Sequence, residues 1–160
     1  MDRRYPVSES REERWIEEQD KKETQNRVFL VIVLKGDTPE KDHLIGWMSI
    51  GLIHPENGTA VTGAQIGEKD CLGKGYGTEA KMLLLHYAFD TLNLRKIYSY
   101  VYAFNQRSIR YSEKCGYRLE AKMPKDSFIR GKYVDRLILA VYADQWRKLW
   151  AKTKKNYLPK

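Results

Sequence analysis

The residues best suited to chemistry lie in a glycine-rich stretch near the middle of the chain. It reads QIGEKDCLGKGYGT, from Gln65 to Thr78, and leads into the strongest helical pattern of the sequence. Gly73, Gly75 and Gly77 allow successive backbone N–H groups to turn inward at the start of that helix, where the helix dipole adds partial positive charge. The stretch predicts a phosphate-binding loop, with a flexible tight turn as the alternative.

Two common nucleotide-binding loops are excluded by the same residues. A Walker loop requires Gly-Lys followed by Ser or Thr, whereas Lys74 is followed by Gly75. A dinucleotide-binding loop requires Gly-x-Gly-x-x-Gly in the first strand-helix unit of the fold. Here the glycine spacing differs and the loop lies in mid-chain.

Thiol and metal chemistry have little support. Cys71 and Cys115 are far apart in sequence and show no metal-ligand spacing with the three histidines. We expect reduced thiols and no bound metal. No histidine lies near Cys71, which argues against a cysteine nucleophile that carries the acyl group.

The elements that must position the loop are strands before it and a helix after it. Tyr76 to Leu92 has apolar residues on one wide helical face, which predicts a helix. The strands are short runs of apolar, β-branched or aromatic residues, and the turn at Pro55 to Gly58 joins two of them. The sequence predicts strands over 28–34, 44–53, 59–67, 97–104, 117–123 and 133–142.

Further helices complete the pattern. Ser10 and Glu13 have the spacing of a capping box, which predicts a helix over 11–22. Asn105 can cap a helix that stops at Gly116, and another helix follows the last strand. We expect an α/β (α+β) layered fold: a mixed, mostly antiparallel sheet with helices on both faces and one strand-helix-strand crossover.

The bulk properties fit one domain over residues 1–160. Its ends are an N-terminal helical segment, 1–26, and a basic tail, 147–160, expected to be frayed and solvated. A net charge of +8 favours an anionic partner such as a nucleotide cofactor, RNA or a ribosomal surface. The sequence lacks a transmembrane stretch and a signal-peptide core, so we expect a cytoplasmic protein without membrane contact.

Several motifs in order resemble one known family, the GNAT superfamily of N-acetyltransferases. Within it, the closest resemblance is to ribosomal-protein N-terminal acetyltransferases and polyamine acetyltransferases. The resemblance covers roughly residues 27–146. Its motifs are Ile66-Gly67, LGKGYGTEA at 72–80, FNQRSIR at 104–110, EKCGY at 113–117 and GKYVDRLILAVYADQW at 131–146.

The resemblance implies acetyl-CoA as the cofactor. In the family, amides of the glycine loop hold the pyrophosphate, and the pantetheine arm lies where the strand at Ile66-Gly67 splays from the strand at 101–104. The family usually has Gln or Arg at Leu72, so a side-chain donor is missing here. The expected cofactor-binding residues are Gln65, Ile66, Gly67, Leu72, Gly73, Lys74, Gly75, Tyr76, Gly77, Thr78, Asn105 and Ser108.

The catalytic residues are less well defined. A backbone N–H near Ile66 or Gly67 is the expected donor to the thioester oxygen. Tyr111 is the candidate acid for the leaving thiolate, although relatives that use a tyrosine acid place it at the position of Ser112. Ser112 is a further candidate, as a residue that holds a water. Some relatives carry a glutamate base where Gln65 stands, and Glu68 is the nearest replacement.

The acceptor is expected to be a primary amine. A protein or peptide N-terminus is favoured, because its amine has a pKa near 8 and needs a weaker base than a lysine does. A polyamine or other small amine is next. The alternative from another class is a catalytically degenerate CoA-binding fold that acts as a basic RNA- or ribosome-binding module. Either a monomer or a homodimer fits the sequence.

Overall fold

A computed structural model describes residues 27–158, which form a six-stranded sheet with three α-helices. The strands are β1 (Val28–Leu34), β2 (His43–His54), β3 (Thr59–Ile66), β4 (Lys96–Tyr102), β5 (Arg118–Ile129) and β6 (Lys132–Tyr142). Their order across the sheet is β1-β2-β3-β4-β6-β5, so β1 and β5 are the edge strands.

The three helices follow β3, β4 and β6. They are α1 (Tyr76–His86), α2 (Gln106–Lys114) and α3 (Ala143–Thr153). A π-helical turn, Tyr87–Thr91, continues α1, so the predicted helix is confirmed in extent but its last turn is wider. Buried side chains of α1, including Leu85, share one core with Ile50 of β2 and Trp146 of α3.

The sheet has one parallel pair, and this pair is short. β3 and β4 are joined by the predicted crossover through α1, and they pair only at Thr59–Lys96, Ala60–Ile97 and Val61–Tyr98. Every other neighbouring pair of strands is antiparallel. Beyond Val61 the two strands are no longer paired, which is the separation that the resemblance predicts.

Most predicted boundaries hold within a few residues, but β5 is longer than expected. It extends to Ile129 instead of stopping at Met123, because two irregularities in register carry its pairing with β6 past Pro124. The turn at Arg130 and Gly131 is confirmed, with φ of 49° and 78°.

The prediction of a frayed basic tail is wrong for residues 147–157. Arg147 to Thr153 belong to α3, and a 3-10 turn follows at Lys154–Asn156. The reason is a row of aromatic side chains: Trp146 and Trp150 are buried, and Tyr157 stacks on Trp150. Burial of large apolar surface holds this end of the chain against the core.

Two other expectations concern the N-terminal helix and membrane-spanning segments. The helix predicted over 11–22 lies outside the described residues. Within residues 27–158, no helix has the length and apolar character needed to cross a membrane.

Candidate active site

The glycine loop adopts a backbone that few other residues could follow. A 3-10 turn, Lys69–Cys71, precedes it, and then Gly73 and Gly75 have φ of 78° and 94°. These values lie in the left-handed region that favours glycine. A Cβ atom on either residue would meet nothing within 4 Å, so these glycines serve the conformation, and the space beside them is open.

The same loop presents a series of free backbone amides. The N–H groups of Thr78 and Glu79 donate to the Gly75 carbonyl. In the described part of the chain, no backbone acceptor is paired with the N–H groups of residues 73–77. Amides at a helix N-terminus, beside open space and the positive end of the helix dipole, fit a phosphate group. Lys74 is exposed in this loop, whereas Leu72 is half-buried and offers no donor.

The end of β3 shows which backbone group faces the gap between β3 and β4. The Gly67 N–H donates to the Ile45 carbonyl across the β2–β3 pair at 2.9 Å. Because backbone groups alternate in direction along an antiparallel strand, Gln65 also turns its backbone toward β2, and Ile66 turns its N–H and C=O the other way. Of the expected donors, Ile66 therefore has its amide on the side of β4, and Gly67 does not.

Gly46 is a site residue that sequence reasoning missed. It lies opposite Ile66 in the β2–β3 register, and a Cβ there would come within 2.1 Å of the Gln65 carbonyl oxygen. A glycine in mid-strand signals such a close approach of backbone. On the other side, a Cβ on Gly77 would lie 3.4 Å from Ile66 Cδ1, so the first turn of α1 packs directly on the end of β3.

Asn105 has the predicted capping role at the start of α2. Its Oδ1 accepts a hydrogen bond from the Ser108 N–H at 3.1 Å. Both residues are partly exposed and follow directly after the end of β4. Their expected contact with the cofactor is compatible with this cap and stays a prediction.

The hydroxyls of Tyr111, the candidate acid, and Ser112, the candidate water-holding residue, are poorly placed for those roles. Tyr111 packs against the core, and burial raises the pKa of its phenol well above the ordinary value. Ser112 is fully buried, and its Oγ has no hydrogen-bond partner. Glu68, the candidate base, is exposed just beyond β3.

The cysteines and the possible metal ligands of the described residues form no reactive site. Cys71 and Cys115 are buried and unpaired, as expected for reduced thiols. Among the described residues, no cluster of three His, Cys, Asp or Glu side chains could hold a metal ion. The features that could bind a ligand or take part in a reaction are therefore the amide-lined loop and the gap beside Ile66.

Comparison with known proteins places this geometry in context. A family described as "Acetyltransferase (GNAT) domain" matches residues 2–118. The SPbeta prophage-derived uncharacterized N-acetyltransferase YokL of Bacillus subtilis (strain 168) is 28% identical over 142 residues, which are 89% of this chain and 75% of that protein.

Two further similarities concern spermidine acetyltransferases. Spermidine N(1)-acetyltransferase of Escherichia coli (strain K12) is 32% identical over 74 residues, 46% of this chain and only 40% of that protein. The crystal structure of spermidine N-acetyltransferase from Vibrio cholerae in complex with CoA and spermine superposes with a TM-score of 0.78 at 23% identity, covering 91% of this chain and 81% of that one. At this identity the superposition supports the fold.

Proposed function

The chain belongs to the GNAT family of acetyltransferases, and on that premise we propose that it acetylates the α-amine of a peptide or protein N-terminus. Acetyl-CoA is the cosubstrate of this N-acetyltransferase family. The observation that carries the proposal is the loop of unpaired amides at 73–77, set at the Ile66 end of the gap between β3 and β4.

The residues of the loop fit the pyrophosphate of coenzyme A. The amides of Gly73 to Gly77 would bind its oxygens, and Lys74 would add a positive charge. The pantetheine arm would then lie along Ile66 in the gap. Leu72, Tyr76 and Thr78 flank the loop, and Asn105 and Ser108 border the gap from the start of α2.

The reaction forms an N–C bond between the amine and the acetyl carbon and breaks the C–S bond of the thioester. The Ile66 N–H is the donor proposed for the carbonyl oxygen as negative charge develops there. The amine loses a proton to water or to Glu68. The leaving thiolate takes up a proton, and because a thiol has a pKa of about 8.5, it leaves without a strong acid.

Residues 27–158 place no strong base or acid beside the gap, and this favours an amine with a low pKa. An N-terminal α-amine, with a pKa of about 8, is partly neutral at physiological pH, whereas a lysine amine near 10.4 is not. The amine would approach from the face of β4 that carries Tyr100 and Tyr102. These side chains are exposed, while Val101 between them is buried in the core.

A polyamine is the second candidate acceptor. The specific support is that some relatives are named spermidine acetyltransferases. A net charge of +8 on this chain weakens the attraction for a polycation, which is why the peptide is placed first. The RNA- or ribosome-binding alternative has no support from the relatives, which are named as acetyltransferases.

The test is calorimetric titration with acetyl-CoA, followed by measurement of thiol release with matched amines. The amines are short peptides with free N-termini, the same peptides with blocked N-termini, and spermidine. We expect micromolar binding, and release with free peptides that is lost on blocking. Release with spermidine alone would move the assignment to the polyamine, and binding without release for any amine would overturn the proposal.

A further inference from the structure

A lysine is buried beneath the proposed acetyl-CoA site. Lys81 lies on α1, one turn beyond Gly77, and only 1% of its surface is exposed. Its Nζ donates a hydrogen bond to Thr62 Oγ1 at 2.8 Å. Among the described residues, no Asp or Glu forms an ion pair with it. A buried cation without a carboxylate partner is costly, so its placement calls for an explanation.

Thr62 connects Lys81 to two other residues of the fold. Its hydroxyl lies 3.3 Å from the Tyr98 carbonyl oxygen, to which it donates, and 2.9 Å from the Tyr117 hydroxyl. A hydroxyl has one proton and two lone pairs, so Thr62 donates to Tyr98 and accepts from both Lys81 and Tyr117. We call Lys81, Thr62, Tyr98 and Tyr117 the apex network.

The apex network lies at the place where the sheet opens. Val61 and Tyr98 form the last pair between β3 and β4, and Thr62 is the next residue of β3. The side chain of Thr62 therefore bridges the strands at the vertex of their separation. Ile66, whose amide faces the gap, is four residues further along β3, about 13 Å at 3.3 Å per residue.

We propose that Lys81 is a positioning residue for acetyl transfer, which acts through Thr62 to fix the vertex of the β3–β4 gap relative to the phosphate loop. This inference rests on the proposed function of that loop and gap. α1 carries the free amides at its first turn and Lys81 at its second, so the hydrogen bond to Thr62 couples the seat of the pyrophosphate to the strand that carries the Ile66 amide.

The neighbours of Lys81 are neutral groups. Its Nζ lies 5.6 Å from the centre of the Tyr111 ring and 5.5 Å from that of Tyr117, and the Cys115 thiol is close by. Burial raises the pKa values of both phenols, and it raises the pKa of Cys115 to about 12 against the opposing effects of Lys81 and Lys114.

Lys81 is consequently the group of this network that titrates near neutral pH. Burial lowers its pKa to about 8, although the electrostatic interaction with Cys115 opposes this effect. Deprotonation replaces an ammonium donor with a weaker amine donor to Thr62. If this bond fixes the gap, the rate of acetyl transfer should therefore depend on an ionisation near pH 8 that belongs to Lys81 and not to the acceptor amine.

The test compares Lys81→Met, Thr62→Val and the double variant, each checked for folding by circular dichroism. We expect kcat to fall about tenfold or more, with KM for acetyl-CoA changed by less than about threefold, and the double variant to lose no more than either single variant. The ratio of the wild-type kcat to the Lys81→Met kcat, measured with the same peptide across pH, should show an ionisation near pH 8, because the ionisation of the acceptor amine is common to both enzymes and cancels. A folded Lys81→Met with wild-type kcat and pH profile would overturn the proposal.

A second measurement separates this inference from the proposed function. Hydrogen exchange of the peptides that span residues 62–66, followed by mass spectrometry, needs no substrate. We expect faster exchange there in Lys81→Met and also in Tyr117→Phe, which removes one hydroxyl from the network. If the wild type acetylates no amine, the proposed function fails, and unchanged exchange in both variants would still count against the apex network.

Discussion

The two ends of the β3–β4 pair differ in how they accommodate a buried lysine. At the closed end, where the strands are paired, Lys96 bonds Glu120 at 2.5 Å and lies over the rings of Tyr98 and Tyr142. At the open end, where the strands part, Lys81 bonds the Thr62 hydroxyl and lies over the rings of Tyr111 and Tyr117, and it has no carboxylate partner among residues 27–158. The two lysines therefore differ in that Lys96 has a charged partner and Lys81 has neutral ones.

The difference shows in the pKa values of the two lysines. Burial alone would lower the pKa of Lys96, but hydrogen bonds with Glu120, Tyr142 and Tyr98 outweigh it and raise that pKa above its ordinary value. At Lys81 the opposing interaction, with Cys115, is smaller than the effect of burial, and the pKa falls to about 8. The closed end is thus insensitive to pH in the physiological range, whereas the open end changes charge within it.

The largest expected effect lies in the phosphate loop of the open end. Gly75→Glu should weaken acetyl-CoA binding by roughly 100-fold or more, because a carboxylate would stand against the phosphates. Gly131→Glu is the matched control: Gly131 also has a left-handed φ and open space, but lies at the β5–β6 turn. Calorimetry with acetyl-CoA measures both. Equal affinity in the two variants would remove the loop from the site.

The next effect concerns the backbone contact that holds the end of β3. Gly46→Ala should destabilise the protein by about 1 to 3 kcal/mol and lower kcat/KM, because its Cβ would displace the Gln65 carbonyl and shift Ile66. In Gly51→Ala, on the same strand, the added Cβ meets nothing within 4 Å. Denaturant unfolding should show a larger loss of unfolding free energy in Gly46→Ala than in Gly51→Ala. Equal losses would show that the backbone contact at Gly46 does not matter.

The pH dependence of stability distinguishes the two lysines. The folded-state pKa of Lys81 lies below its unfolded value, so the penalty of burying its charge is complete below pH 8 and is relieved as pH rises. Relative to Lys81→Met, the wild type should gain on the order of 2 to 3 kcal/mol in unfolding free energy between pH 7 and pH 10. Denaturant unfolding across this range measures the difference.

Lys96→Met is the control for that comparison. In the wild type the folded-state pKa of Lys96 is raised, so the contribution of Lys96 to stability is complete below its unfolded pKa and is lost only above it. The difference between the wild type and Lys96→Met should therefore stay constant from pH 7 to pH 10. If the difference in unfolding free energy between the wild type and Lys96→Met changed with pH as steeply as the difference for Lys81→Met, the two ends would not differ.

The smallest effect concerns the hydroxyl next to the open end. Ser112→Ala removes a buried hydroxyl without a partner, so stability should stay the same or rise by about 1 kcal/mol. Thiol release should change less than about twofold, since this hydroxyl is enclosed in the core. Tyr111→Phe should behave likewise in the release assay. A tenfold loss in Tyr111→Phe would restore Tyr111 as the acid, and a tenfold loss in Ser112→Ala would restore Ser112 as a catalytic residue.

Much of the fold followed from local patterns. The apolar strand at 28–34, the Asn57-Gly58 turn and the amphipathic stretch from Tyr76 were predicted because each has a periodicity or a turn residue with one favoured structure. The end of β5 and the packing of residues 147–157 were not predicted. They depend on pairing with β6 and on burial of tryptophans against distant residues.

The sequence by itself determined the glycine loop, since the left-handed backbone at Gly73 and Gly75 and the helix after them are local properties. Only the tertiary structure decided which amide faces the gap and that Lys81 meets Thr62. The first depends on the register with β2, where a shift of one residue reverses every backbone direction. The second depends on packing α1 against β3, a contact between residues 19 positions apart.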